Sequence, residues 1–182
     1  IGLLPEDRQK QGLVLDWEIY KNITLADLGQ FTKGTILRPK SERLKSKGLG
    51  EKMDLKSPTV FEKASSLSGG NQQKVVICKL LNTDLKVLIL DEPTKGVDVG
   101  AKSQIYDIMN DLAAQGYGII MISSDMPEII GMSDRIIAMH EGRITGEFLR
   151  GEAGQEEILA AVIGLADEAT SEPKGKEAAA YG

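Results

Sequence analysis

Four aliphatic residues, Val87-Leu88-Ile89-Leu90, run straight into two carboxylates, Asp91 and Glu92, and then into Pro93. An aliphatic run without polar alternation needs cover on both faces, which is the situation of a strand in a parallel sheet flanked by helices. The two acids then stand at the strand's carboxyl end, where open α/β sheets bind their ligands. The alternation continues downstream. Ile105, Ile108, Met109 and Leu112 recur at helical spacing and stop before Gly116, residues 119–122 predict a second buried strand, residues 128–132 a helical turn and residues 136–139 a third strand. Strand and helix in alternation imply βαβ units with right-handed crossovers. Glu141-Gly142 reads as a turn that makes residues 144–148 a hairpin partner, and residues 155–165 read as a closing helix carrying Ile158, Leu159, Val162 and Ile163.

Upstream, residues 1–4 form an apolar run that stops at Pro5, as a buried strand does on entering a loop. From Trp17 to about Pro58 the chain is rich in Lys and Gly, with weak helical periodicity around Ile23, Leu25 and Leu28. We read residues 17–82 as a helical subdomain within a domain of residues 1–167. Its lysines are interspersed with Glu42 and Glu51, which makes a solvated face and not a basic stripe. Residues 168–182, dominated by Ala, Glu, Lys and Gly, are expected to be a disordered tail.

Composition narrows the function. A chain of 182 residues, 41% hydrophobic, can bury one sizeable core. The longest aliphatic runs are only four residues, against the roughly 20 a membrane helix needs. The single cysteine, Cys78, lies in an apolar run, which predicts a buried thiol and fits a reducing compartment. A net charge of −5 argues against a nucleic-acid surface. The chain opens on Ile1 without a signal-type segment, and we expect it to be a piece of a longer polypeptide.

Two segments carry chemistry. Asp91 is suited to holding Mg²⁺ through water, because that ion dehydrates reluctantly, and Glu92 to orienting or deprotonating an attacking water; the alternative is a solvated acidic strand end. In Leu67-Ser68-Gly69-Gly70-Asn71-Gln72-Gln73-Lys74, Ser68 is a helix N-cap and two glycines let a ligand approach a helix start whose amides favour an anion. By itself such a segment is also an ordinary cap.

Together these segments resemble an ATP-binding cassette protein. Leu67 to Lys74 is similar to the family's signature motif, with Asn71 in place of its Gln, residues 87–94 to its Walker B strand, and Lys95-Gly96-Val97-Asp98 stands at the D-loop position. With residues 91–102 (DEPTKGVDVGAK), residues 122–140 (ISSDMPEIIGMSDRIIAMH) and Pro5-Glu6-Asp7-Arg8 added, the chain resembles the second nucleotide-binding half of the sugar-importer ATPases of the ribose, galactose and xylose type. The resemblance covers about residues 1–163, with residues 32–58 matching poorly. It implies a P-loop NTPase-like core, a mostly parallel sheet flanked by helices with an inserted helical subdomain, whose Walker A portion lies upstream of Ile1.

For function, the resemblance implies that ATP with Mg²⁺ is sandwiched between two cassettes. Ser68, Gly69, Gly70 and Gln72 then face the nucleotide of the opposite cassette, Asp98 belongs to the D-loop, Asp91 reaches Mg²⁺ through water and Glu92 is the catalytic residue acting on the attacking water. The partners implied are a second cassette in the same chain, a transmembrane sugar permease and, indirectly, a periplasmic sugar-binding protein, at the cytoplasmic face of the membrane and without nucleic acid. Departures from the pattern matter. Pro5 occupies the place of the Q-loop glutamine and offers no side-chain oxygen, and Ser124 stands at the switch-histidine position, where it cannot carry positive charge. His140, the only histidine, falls elsewhere and is expected to be structural or solvated. Residues 96–103 (GVDVGAKS) imitate a P-loop, but Ala101 replaces the second glycine and Asp98 would face phosphate. Three rivals follow: a non-hydrolytic regulatory half that only donates its signature, a nucleic-acid-associated cassette ATPase lacking its usual basic face, and a kinase built on residues 96–103.

Overall fold

A computed structural model describes residues 1–165, so the expected tail of residues 168–182 lies outside the described residues. The chain forms two units, Ile1–Ser124 and a second beginning at Asp125.

In the first unit, strand β1 (Gly2–Leu4) leads through a wide helical turn, Arg8–Gly12, to α1 (Ile19–Thr24). A small hairpin of β2 (Thr32–Lys33) and β3 (Ile36–Leu37) precedes α2 (Pro39–Lys52). Then follow α3 (Gly69–Leu81), β4 (Val87–Asp91), α4 (Val99–Ala114) and β5 (Gly118–Ile122). β4 is the central strand of a three-stranded sheet, parallel to both β1 and β5, with Leu4 opposite Leu90 and Asp91 opposite Ile122.

The two faces of this sheet differ. Gly2, Leu4, Leu88 and Leu90 are buried together on one face, each of the leucines contributing about 1.5–3 kcal/mol by leaving water. A Cβ at Gly2 would stand 2.7 Å from Leu85 Cδ2 and 3.2 Å from Leu80 Cδ2, so this glycine lets the end of α3 and the loop after it lie close on the sheet. The register places Leu3, Ile89 and Ile120 side by side on the other face, where Leu3 and Ile120 are 55% and 53% exposed. This corrects the expectation of fully buried strands: continuous aliphatic composition fits cover on both faces, but among the described residues only one face is covered.

α3 is the hub of the first unit. All of its residues from Gln72 to Cys78 are buried, too broad an apolar and polar band for a surface helix. Lys74 is among them, with Nζ donating to Asp54 O at 2.8 Å and to Gln104 Oε1 at 2.9 Å. Burial lowers its pKa, opposed by the nearby Asp54. The Lys-rich α2 keeps most of its lysines in solvent.

In the second unit, α5 (Met126–Met132) is followed by β6 (Arg135–His140), β7 (Arg143–Leu149) and α6 (Gln155–Val162). β6 pairs antiparallel with β7 and is not part of the parallel sheet. The cause is local: Glu141 and Gly142, both at positive φ, make the two-residue turn whose twist suits a hairpin.

Candidate functional site

Every segment with predicted chemistry except His140 lies in the first unit, around the carboxyl end of β4. Asp91 closes the strand and Glu92 is the first residue beyond it, at φ +47°. That left-handed backbone costs a side-chain-bearing residue about 1–2 kcal/mol, so the surroundings must fix it. They do so from β5: Glu92 N donates to Ile122 O, and Glu92 Oε1 accepts from Ser124 N, both at 2.8 Å. The structure therefore joins Glu92 to Ser124, through the serine's backbone amide. Pro5 follows β1 on the other side of β4.

Among the described residues no group of three or more His, Cys, Asp or Glu side chains is placed to hold a metal by itself. Asp91 by itself offers one carboxylate, and an ion such as Mg²⁺ takes one or two protein carboxylates with its remaining ligands from phosphates and water.

The turn after β4 is fastened carbonyl by carbonyl. Pro93 O accepts from Gln73 Nε2 of α3 at 2.8 Å, Lys95 O from Arg8 Nη1 at 2.8 Å and Gly96 O from Arg8 Nη2 at 3.2 Å. Lys95 is also ion-paired to Glu6, whose hydrogen bond raises the lysine's pKa. Asp98 caps α4, its Oδ1 accepting from Ala101 N at 2.9 Å. Residues 96–103 are therefore a turn and a helix start whose first-turn amide is already taken by a carboxylate.

Against this turn lies the start of α3. Ser68 is its N-cap, and Asn71 Nδ2 donates to Ser68 Oγ at 2.9 Å while Asn71 Oδ1 accepts from Lys56 N at 2.8 Å. A Cβ at Gly69 would stand 2.6 Å from Gly96 O and 2.7 Å from Arg8 Nη2, and one at Gly70 would stand 2.6 Å from Ala101 Cβ. The glycines admit the chain's own turn and α4, whatever else they admit. Ser68 is exposed and Gly70 is buried. Gln72 points inward, with Nε2 donating to Ala64 O and Oε1 accepting from Gln9 Nε2. In the second unit, His140 Nδ1 donates to Val162 O at 2.9 Å. Sequence reasoning did not assign Arg8, Gln73 or Asn71 these ties, because their partners lie 15 to 88 residues away and no local pattern marks them.

A central parallel strand ending in Asp-Glu, with a Ser-Gly-Gly helix start packed on the turn that follows, is the arrangement of the ATP-binding-cassette ATPases, and the fold is theirs. Residues 9–95 match the ABC transporter family. The dimeric bacterial ABC transporter cassette MJ0796 superposes with a TM-score of 0.67 at 21% identity, over 82% of this chain and 62% of that one. Its post-hydrolysis state bound to ADP and Pi gives 0.66 at 19%, over 81% and 62%.

Within that class the sequence is similar to ATP-binding proteins of sugar import. It is 54% identical over 164 residues to the xylose import ATP-binding protein XylG of Moorella thermoacetica, covering 90% of this chain and 32% of that protein. To the ribose import ATP-binding protein RbsA 1 of Streptomyces coelicolor it is 46% identical over 166 residues, 91% of this chain and 33% of the relative. The chain spans about a third of the length of the curated relatives it matches.

Proposed function

We propose that this chain acts as the second-cassette portion of a two-cassette ATPase that powers import of a monosaccharide. In this reading Ser68 and the helix start behind it complete a nucleotide site built by the opposite cassette, while Asp91 and Glu92 face a site of their own. Mg²⁺ arrives with the nucleotide, and Asp91 would reach it through water. The partners are the first cassette, a sugar permease and, through it, a sugar-binding protein, at the cytoplasmic membrane face. Among the described residues no helix is long and apolar enough to cross a membrane, so attachment through a permease suits the chain. The observation that carries the reading is the packing of the Ser68 helix start on the turn that follows the Asp91-Glu92 strand end.

The two halves of this equipment are unequal. Ser68 is exposed, and among the described residues its Oγ is held only by the amide and side chain of Asn71 in its own helix. Glu92 is engaged by Ser124 N, with no histidine at the switch position and no side-chain amide at Pro5. This favours a hydrolysis centre that depends on the signature more than on Glu92, and in the limit a purely signature-donating half.

The test is an asymmetry in steady-state MgATP hydrolysis by the reconstituted importer. A substitution at Gly70 also disturbs the packing on Ala101, so the exposed Ser68 is the cleaner position. Ser68→Arg is expected to cost about 10²- to 10³-fold, the scale for losing a transition-state donor. Glu92→Gln is expected to cost far less than the roughly 10²- to 10⁴-fold typical of a catalytic base. Equal losses would show that Glu92 serves a working site and would overturn the asymmetry.

A further inference from the structure

Arg8 is tied at both ends to different parts of the site. Its backbone belongs to the turn Arg8–Gly12, which is seated on α3: Gly12 O accepts from Lys79 Nζ at 3.1 Å, Gln9 Nε2 donates to Gln72 Oε1 at 3.0 Å, and a Cβ at Gly12 would meet Val76 Cγ2 at 3.0 Å. Its guanidinium leaves α3 and spans two successive carbonyls, Lys95 O and Gly96 O, in the turn after β4. Nη2 also fills the space where a side chain at residue 69 would lie. Nε is buried without an acceptor, a cost that a solvated surface arginine does not bear. Desolvation lowers the guanidinium's pKa, yet arginine stays charged, so both bonds to carbonyl oxygen are charge-assisted.

We propose that Arg8 is a positioning residue for ATP hydrolysis: by clamping the turn of residues 91–98 onto the start of α3, it holds the Asp91-Glu92 strand end and the Ser68 helix start in one frame. The inference rests on the function proposed above and adds a consequence. The nucleotide faced by Ser68 and the nucleotide faced by Glu92 then sense each other through this clamp, since neither segment shifts without the other. A lysine does not replace Arg8, because a single ammonium lacks the planar fork that reaches two adjacent carbonyls.

The experiment uses the complete protein that carries this chain, with Arg8→Ala, Arg8→Lys and, as control, Lys10→Ala, whose exposed ammonium pairs with Asp7. Amide hydrogen exchange and MgATP kinetics are read on the same preparations. Arg8→Ala is expected to raise exchange about tenfold or more in residues 94–98 and 68–71 together, leaving residues 105–112 unchanged, as the loss of charge-assisted bonds implies. Its kcat should fall about tenfold or more with KM within about twofold, the signature of misplaced groups and not of lost binding. Arg8→Lys should fall between wild type and Arg8→Ala, and it carries the test if Arg8→Ala does not fold. Unchanged exchange in the two segments overturns the clamp. Faster exchange with unchanged kcat, or with kcat and KM drifting alike, overturns the positioning role. A wild-type protein that hydrolyses no MgATP overturns the function itself, and the exchange data then judge the clamp separately.

Discussion

At Gly69 two roles of one glycine can be separated by measurement. The sequence suggests a glycine that lets a ligand approach a helix start, whereas the packing shows one that lets Gly96 O and the Arg8 guanidinium approach α3. Gly69→Ala should therefore destabilise the protein with no nucleotide present, by about 1–3 kcal/mol as for other overpacked sites, read as a lower urea midpoint at constant slope. An unchanged midpoint would leave only the ligand to explain the residue. Cys78 gives a prediction with a pH sign. Burial pushes its thiol up to about 12, above its ordinary value near 9. A raised acid contributes stability that is fully present below the unfolded pKa near 9 and is lost as pH rises from there through the folded value of about 12. Folded protein at pH 8 should accordingly resist a thiol reagent that labels it at once in urea; rapid labelling of the native state would contradict the burial. Cys78 was legible from its aliphatic neighbours alone. Arg8 was not, since nothing near an arginine in sequence reveals carbonyls 87 and 88 residues away.

Among the elements, β4 was the easiest to read and its surroundings the hardest. Its run of aliphatics and terminal acids announced a central parallel strand, which β1 and β5 flank. Periodicity could not show that one face is left open, because burial depends on what else is present and not on the strand's own residues. The two faces should respond differently to mutation. Leu88→Ala, on the buried face, is expected to cost about 2–5 kcal/mol. Ile120→Ser, at a position 53% exposed, should stay within about 0.5 kcal/mol. Comparable losses in thermal unfolding would mean that the open face is covered in solution. β6 shows the opposite lesson. Helix-strand alternation suggested another parallel strand, while the Glu141-Gly142 turn, also legible, claimed β6 for a hairpin; the short-range closure prevailed over the crossover.

For the molecule as a whole, the class of fold could be argued from three segments: the Val87–Asp91 strand, the Ser68 helix start and the helix that follows Asp98. How they fit together could not, because the ties of Arg8, Gln73 and Asn71 exist only once the chain has folded. On the proposed function these 182 residues carry a signature and a Walker B strand end but no phosphate cradle. None of them forms a G-x-x-x-x-G-K-[ST] loop, and the nearest imitation, residues 96–103, has its amide capped by Asp98. The most direct measurement is calorimetric titration of the 182-residue chain with MgATP, on material shown to be monodisperse and to unfold cooperatively. The account predicts no saturable binding tighter than about 1 mM. Micromolar binding would contradict it and would make residues 96–103 a phosphate loop after all.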